Sequence, residues 1–160
     1  MIKVKSKINI KSTEQEIWSF LNNISLGLSF NRFHKKIHIQ NSFSINIEKE
    51  MIVEHNFGFG TYDMILKVVD SIPNNKIVFE EKSKRDQDQL FDHKTTFEIS
   101  NISDNLCRLN NVVEGTFNNK FADLSFKPLL KGVMLDELIK IKFAVESSSS
   151  NNKHNQYSPV

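Results

Sequence analysis

Apolar and polar residues alternate from the start of the chain: Ile2, Val4, Ile8 and Ile10 fall on one face, Lys3, Lys5, Lys7 and Asn9 on the other. A period of two predicts a half-buried strand, because successive side chains point to opposite faces of a sheet. The lysines read as its solvated face. The period then changes. Thr13 and Glu16 have the spacing at which each side chain satisfies an orphan donor at a helix start. Ile17, Leu21, Ile24 and Leu28 recur at helical spacing beside Trp18, and Asn22-Asn23 and Gly27 interrupt the run. Two short helices are therefore expected, near 13–22 and 24–31.

From 34 to 118 the chain reads as consecutive strands joined by short turns, which implies an antiparallel meander. The segments are His34–Gln40, with Ile37 and Ile39 sharing a face; Ile45–His55, with Ile45, Ile47, Met51 and Val53 together; Tyr62–Ser71; Lys76–Lys82; Leu90–Ser100, with Phe91, His93, Thr95, Phe97 and Ile99 together; and Leu106–Phe117. Asn56-Phe57-Gly58-Phe59-Gly60, Pro73-Asn74-Asn75 and Ser103-Asp104-Asn105 supply turns, and Lys84–Gln89 reads as a charged loop. Lys49 interrupts the apolar face of its strand. That points to a rim position, a carboxylate partner, or a bulge that shifts the register.

Leu130, Val133, Met134, Leu138, Ile141 and Val145 then form a helical stripe, widened by Leu135, Ile139 and Phe143. Pro128 either starts this helix or kinks a longer one beginning near Phe121. A helix over 128–146 spans ~28 Å and a ten-residue strand ~33 Å, so the helix can lie along the sheet. Residues 147–160 are polar and are expected to be a disordered tail. The fold class expected is α+β: a curved seven-stranded antiparallel sheet, two short helices and one long C-terminal helix, in one domain over residues 1–146.

Composition narrows the function classes. A chain of 160 residues, with 39% hydrophobic and 25% charged residues, fits one globular domain that needs no disulfide or metal staple. A formal net charge of +2 argues against a strongly basic nucleic-acid binder. Cys107 is the single cysteine, which excludes an internal disulfide framework and a cysteine-rich zinc module. The chain holds neither a run of ~18 apolar residues nor a continuous apolar stretch near its start. No integral membrane segment and no secretory signal are expected, and the expected location is cytoplasmic. The sequons Asn23-Ile24-Ser25 and Asn101-Ile102-Ser103 carry no weight without a secretory route.

The order of elements resembles the helix-grip fold of the START/Bet v 1-like (SRPBCC) superfamily, and in particular its polyketide cyclase/dehydrase-like branch. The resemblance covers residues 2–146. It is carried by Ser12-Thr13-Glu14-Gln15-Glu16-Ile17-Trp18-Ser19-Phe20-Leu21 after the first strand and by Gly60-Thr61-Tyr62 opening a strand that closes on Val68-Val69-Asp70-Ser71-Ile72-Pro73. The third part is Leu135 to Glu146 in the last helix. These motifs are patterning motifs, not catalytic signatures. The resemblance implies a groove between sheet and helix. Such a groove of ~300–1,000 Å³, left dry, would cost roughly 7–24 kcal/mol, against ~5–15 kcal/mol for a whole domain. It must hold water, an apolar ligand, or the chain's own side chains. Phe79, Phe91, Phe97 and Phe117 fall on the inner face and either line the cavity or fill it.

The leading expectation is binding or transport of a hydrophobic small molecule or lipid between the sheet and residues 126–145, without catalysis. The expected lining is Met51, Val53, Tyr62, Met64, Phe79, Phe91, His93, Thr95, Phe97, Asn111, Val113, Phe126, Leu130 and Met134. His93 can orient a ligand oxygen or exchange a proton, or it is a hydrogen-bonded histidine at the cavity mouth. Tyr62 and Asn111 offer further polar handles. One alternative is a polyketide cyclase- or dehydratase-like enzyme using His93 or Tyr62. Another is a protein-interaction module whose cavity is filled. No cofactor and no metal are expected. His34 and His38 are four apart, which on a strand separates them by ~13 Å. Asp86-Gln87-Asp88 begins like a calcium loop but has Phe91 and Phe97 where that loop needs Gly and Glu. Gly58-Phe59-Gly60 lacks the third glycine and the helix of a dinucleotide site.

Overall fold

The computed structural model describes residues 1–38, 50–58, 60–85 and 90–155, and side chains up to Ser149. The order is β1 (Ile2–Ile10), α1 (Glu14–Asn22), α2 (Ile24–Ser29), β2 (His34–His38), β3 (Glu50–Asn56), β4 (Thr61–Ile72), β5 (Lys76–Ser83), β6 (Asp92–Ser103), β7 (Leu106–Thr116) and α3 (Lys120–Asn155). The seven strands form one antiparallel sheet in the order β1-β7-β6-β5-β4-β3-β2. From β2 to β7 consecutive strands are neighbours in the sheet, and short turns join β4 to β5 and β6 to β7. β1 closes against β7 from Ile2 opposite Gly115 to Ile10 opposite Cys107, and α1 and α2 carry the chain from there to the far edge.

Local chemistry explains the element ends. Thr13 and Glu16 cap α1 reciprocally: Thr13 Oγ1 accepts from the Glu16 amide at 3.2 Å, and Glu16 Oε2 accepts from the Thr13 amide at 3.0 Å. Asn74 and Asn105 take φ of 60° and 56° at the tips of two hairpins, the left-handed region that asparagine tolerates. The expected strand from Ile45 is described only from Glu50, and Lys49, Phe59 and Asp86-Gln87-Asp88 lie outside the described residues. So do Ile39, Gln40, Ile45 and Ile47.

α3 is the longer of the two helices the sequence allowed. It starts at Lys120 and contains Pro128, which is exposed. It also continues past Glu146 to Asn155, so residues 147–155, expected as tail, are helical. The buried side chain of Ser149, 9% exposed, shows why. Its hydroxyl bonds back to the Val145 carbonyl at 3.1 Å and lies 3.4 Å from Ser12 Oγ. The helix is apolar on two faces. Leu130, Val133, Met134, Leu138, Ile141 and Val145 are buried, while Phe121, Leu124, Leu129, Leu135, Ile139 and Phe143 are 39–81% exposed.

The core divides into two apolar clusters. One joins Ile17, Leu21, Ile24 and Leu28 of the short helices to Met51, Val53, Leu66, Phe79, Phe97, Leu109, Leu138 and Ile141. The other joins Ile2, Val4, Phe33, Phe57, Met64, Phe91, Val113, Phe117 and Phe126 to Leu130, Val133 and Met134. Its rings are packed on one another. Phe126 lies 5.4 Å from Phe33, 6.1 Å from Phe57, 5.1 Å from Phe91 and 5.0 Å from Phe117, centre to centre. Here the space between sheet and helix is filled by phenylalanine.

Candidate functional site

A polar belt separates the two clusters. Along almost every strand the inward face carries one or two polar residues at the point where one cluster gives way to the other. These are Ser6 on β1, Asn111 on β7, His93 and Thr95 on β6, Glu81 on β5, His55 on β3 and His34 on β2. On α3, Glu137 falls between Met134 and Leu138. Glu81 is 2% exposed, His55 1%, Asn111 0% and Glu137 1%. Buried polar groups in an apolar core are costly unless they satisfy one another, so the pairing inside this belt decides its character.

Glu81 is the centre. His55 Nε2 donates to its Oε2 at 2.6 Å, His34 Nε2 stands 3.6 Å from the same oxygen, and His93 Nε2 stands 3.4 Å from Oε1. Three of the five histidines in the chain thus converge on one carboxylate. Two are held from behind. His34 Nδ1 lies 2.8 Å from the Leu28 carbonyl and His93 Nδ1 lies 2.7 Å from the Phe91 carbonyl. A carbonyl oxygen only accepts, so both Nδ1 atoms carry hydrogen. In the neutral ring the opposite Nε2 is then a bare lone pair aimed at a carboxylate. That arrangement is repulsive unless a proton or another cation sits between them. Gly115 permits the close approach at this point: a Cβ there would stand 2.5 Å from His93 Cβ and 2.6 Å from the Asp92 carbonyl oxygen.

The electrostatics follow. Burial by itself would raise the Glu81 carboxyl, but the charges of His93, His55 and His34 outweigh it and hold it well below its ordinary range. Burial also works to lower His34, yet Glu81 outweighs it and His34 is raised. At His55 burial wins over Glu81, and that ring is lowered. Burial, reinforced by the like charge of Glu81, pushes Glu137 up to about 7. Glu137 Oε2 accepts from Asn111 Nδ2 at 3.1 Å. Ser6 Oγ, His55 Nδ1 and Asn111 Oδ1 are buried without a hydrogen-bond partner among the described residues, and all three belong to the belt.

Above the second cluster lies a groove of about 430 Å³, lined by Phe57, Phe117, Asn119, Ala122, Ser125, Phe126 and Leu129. It is mostly apolar. Its floor leads to the belt through rings: Phe57 stacks on His55 at 5.1 Å, and Phe91, 5.1 Å from both Phe117 and Phe126, stacks on His93 at 4.9 Å.

Neither a family model nor a curated protein sequence matches the chain. Solved structures do. A hypothetical protein from Helicobacter pylori superposes with a TM-score of 0.74 at 10% identity, over 90% of this chain and 88% of that one. A conserved protein from Geobacillus kaustophilus gives 0.70 at 17% identity, over 92% and 97%. The Aha1 dimer from Colwellia psychrerythraea, a solution structure, gives 0.63 at 14%, over 91% and 97%. The chain has a helix-grip fold. At these identities the likeness carries architecture alone, compatible with a Bet v 1-like fold, and says nothing of ligand or reaction. No helix among the described residues is long and apolar enough to cross a membrane.

The structure distributes the expected lining residues across three environments. Met51, Val53, Phe79 and Phe97 pack in the first cluster, and Met64, Phe91, Val113, Phe126, Leu130 and Met134 in the second. Tyr62 is half-buried against the second cluster. His93, Thr95 and Asn111 stand in the belt. Of all these, Phe126 lines the groove. His34, His55, Glu81 and Glu137 were missed. Three of them carried a signal, since His55, Glu81 and Glu137 continue the apolar phase of Met51 and Val53, of Ile77 and Phe79, and of Met134 and Leu138. His34 pairs with His55 and Glu81 across the sheet and not with His38 along the chain.

Proposed function

We propose that the chain binds an apolar, ring-bearing small molecule in the groove over Phe57, Phe117 and Phe126. The observation that supports this most is the groove itself: about 430 Å³, within the ~300–1,000 Å³ of ordinary ligand sites, with a floor of aromatic side chains. Ring faces offer offset-stacked and edge-on contacts to a flat ligand, each worth ~0.5–1.5 kcal/mol beyond area burial. Lipids belong to the same apolar class and are the broader form of this reading. A cyclase or dehydratase activity is favoured less, because the ring of Phe91 stands between the groove and His93.

A second reading rests on a separate observation. The outward face of α3 exposes Phe121, Leu124, Leu135, Ile139 and Phe143, an apolar stripe of the kind that marks interaction surfaces. It suits a protein-interaction module whose interior is filled. Titration with a fluorescent naphthalene-based probe separates the readings. We expect saturable, one-to-one binding that is lost in Ala122→Trp, where an indole occupies the groove and the stripe is untouched. Binding unchanged in Ala122→Trp would move the site out of the groove.

A further inference from the structure

We propose that His34, His55, His93 and Glu81 form a binding site for one divalent transition-metal ion of the zinc class. Nδ1–H of His34 is committed to the Leu28 carbonyl and Nδ1–H of His93 to the Phe91 carbonyl. This outer hydrogen bond is the one that metal-bound histidines almost always make; it fixes the tautomer and directs Nε2 at the ion. In this chain the two Nε2 atoms so directed face the same carboxylate.

The spacing fits one ion. Two donor atoms at ~2.0–2.1 Å from a tetrahedral zinc ion lie roughly 3.3 Å apart. His93 Nε2 and Glu81 Oε1 are 3.4 Å apart, and His34 Nε2 and Glu81 Oε2 are 3.6 Å apart. The donor atoms of His34, His55 and Glu81 all lie within 4.8 Å of one another. His93 approaches Glu81 from the Oε1 side and His34 and His55 from the Oε2 side, and the 2.6 Å contact between His55 and Glu81 would have to open for an ion to enter. Nδ1 of His55 is buried without a hydrogen-bond partner among the described residues, so the outer bond that His34 and His93 make is not made at His55.

Charge and donor type choose the class of ion. Imidazole nitrogen suits zinc, copper, iron and nickel, whereas calcium and magnesium take oxygen. Thiolate is absent from the cluster, because Cys107 belongs to the first apolar cluster. In low dielectric a divalent ion needs anionic ligands nearby. Glu81, held well below its ordinary range, supplies one charge. His93 keeps 9% of its side chain exposed and so marks the accessible side of the cluster.

Cobalt(II) titration of the full chain, purified with chelator and then dialysed, tests the site. The expected result is one equivalent bound, with d–d absorption of four- or five-coordinate intensity, displaced by zinc. His93→Gln and Glu81→Gln should weaken cobalt binding by more than the ~10–100-fold that loss of an outer partner costs, while the exposed His38→Asn should not. Histidine NMR of the unmodified protein covers the case in which those variants fail to fold. Zinc should move the imidazole signals of His34, His55 and His93 together and leave His38 in place. Absence of stoichiometric uptake would overturn the proposal and leave the proton as the bridging cation. So would uptake that persists in both variants. Neither result bears on probe binding in the groove, which Ala122→Trp tests separately.

Discussion

Glu81→Gln is expected to destabilise the metal-free protein by about 3–5 kcal/mol near pH 5.5, because removing one partner of a buried charge cluster leaves the others uncompensated. The substitution keeps shape and an acceptor for His55, so the loss is one of charge. Its pH dependence identifies the cause. His34 is raised above its ordinary 6.5, so its contribution is complete below the unfolded value of 6.5 and is lost as pH rises through the folded one. Glu81 is lowered well below 4.5, so its contribution is present above 4.5 and is lost as pH falls through its folded value. The two overlap from about 4.5 to somewhat above 6.5, and there the variant should suffer most. As pH rises through the raised folded value of His34, the cost should shrink toward the ~1–2 kcal/mol of an altered buried hydrogen bond. Denaturant unfolding of both proteins across this pH range, with chelator present, reads the difference. A cost that does not change with pH would mean that shape and not charge holds the belt.

Phe126→Ala is the second large effect. The ring is 7% exposed and sits among Phe33, Phe57, Phe91 and Phe117 at 5.0–6.1 Å. Phe→Ala in a core costs ~3–5 kcal/mol, since the transfer free energy is lost and a cavity remains. For a domain of this size that lowers Tm by roughly 10 °C. Phe121→Ala, five residues earlier on the same helix and 81% exposed, should stay within ~0.5 kcal/mol. The contrast isolates packing from helix propensity, because the residue type and the helix are the same. Equal effects at both positions would show that the start of α3 is not held by the aromatic cluster.

The fold was legible because its signals are local and periodic. The alternation in Ile2–Ile10, the Thr13/Glu16 cap and the 130–145 stripe each depend on residues within one element. The end of α3 was not, because Ser147–Ser150 reads as tail by composition and is continued as helix by packing against Ser12. The belt was half legible. His93 and Asn111 stand in phase with apolar neighbours and were singled out. Glu81 stands in the same phase after Ile77 and Phe79, but a lone carboxylate on an apolar face gains meaning only when the histidines opposite it are known. His34 was hidden by a backbone irregularity. The register of β2 on β3 shifts between His34 and Lys36, and such a bulge re-aims a side chain. Strict alternation from Ile37 turns His34 outward; the bulge turns it in toward Glu81.

The central claim is that the interior holds a charged belt in which the histidines are no longer alike. Titration of the individual imidazoles by NMR in metal-free protein tests it most directly. The account predicts that His34 titrates above 6.5 and His55 below it, the two diverging in opposite directions from one common ordinary value. Both rings titrating together at 6.5 would contradict it.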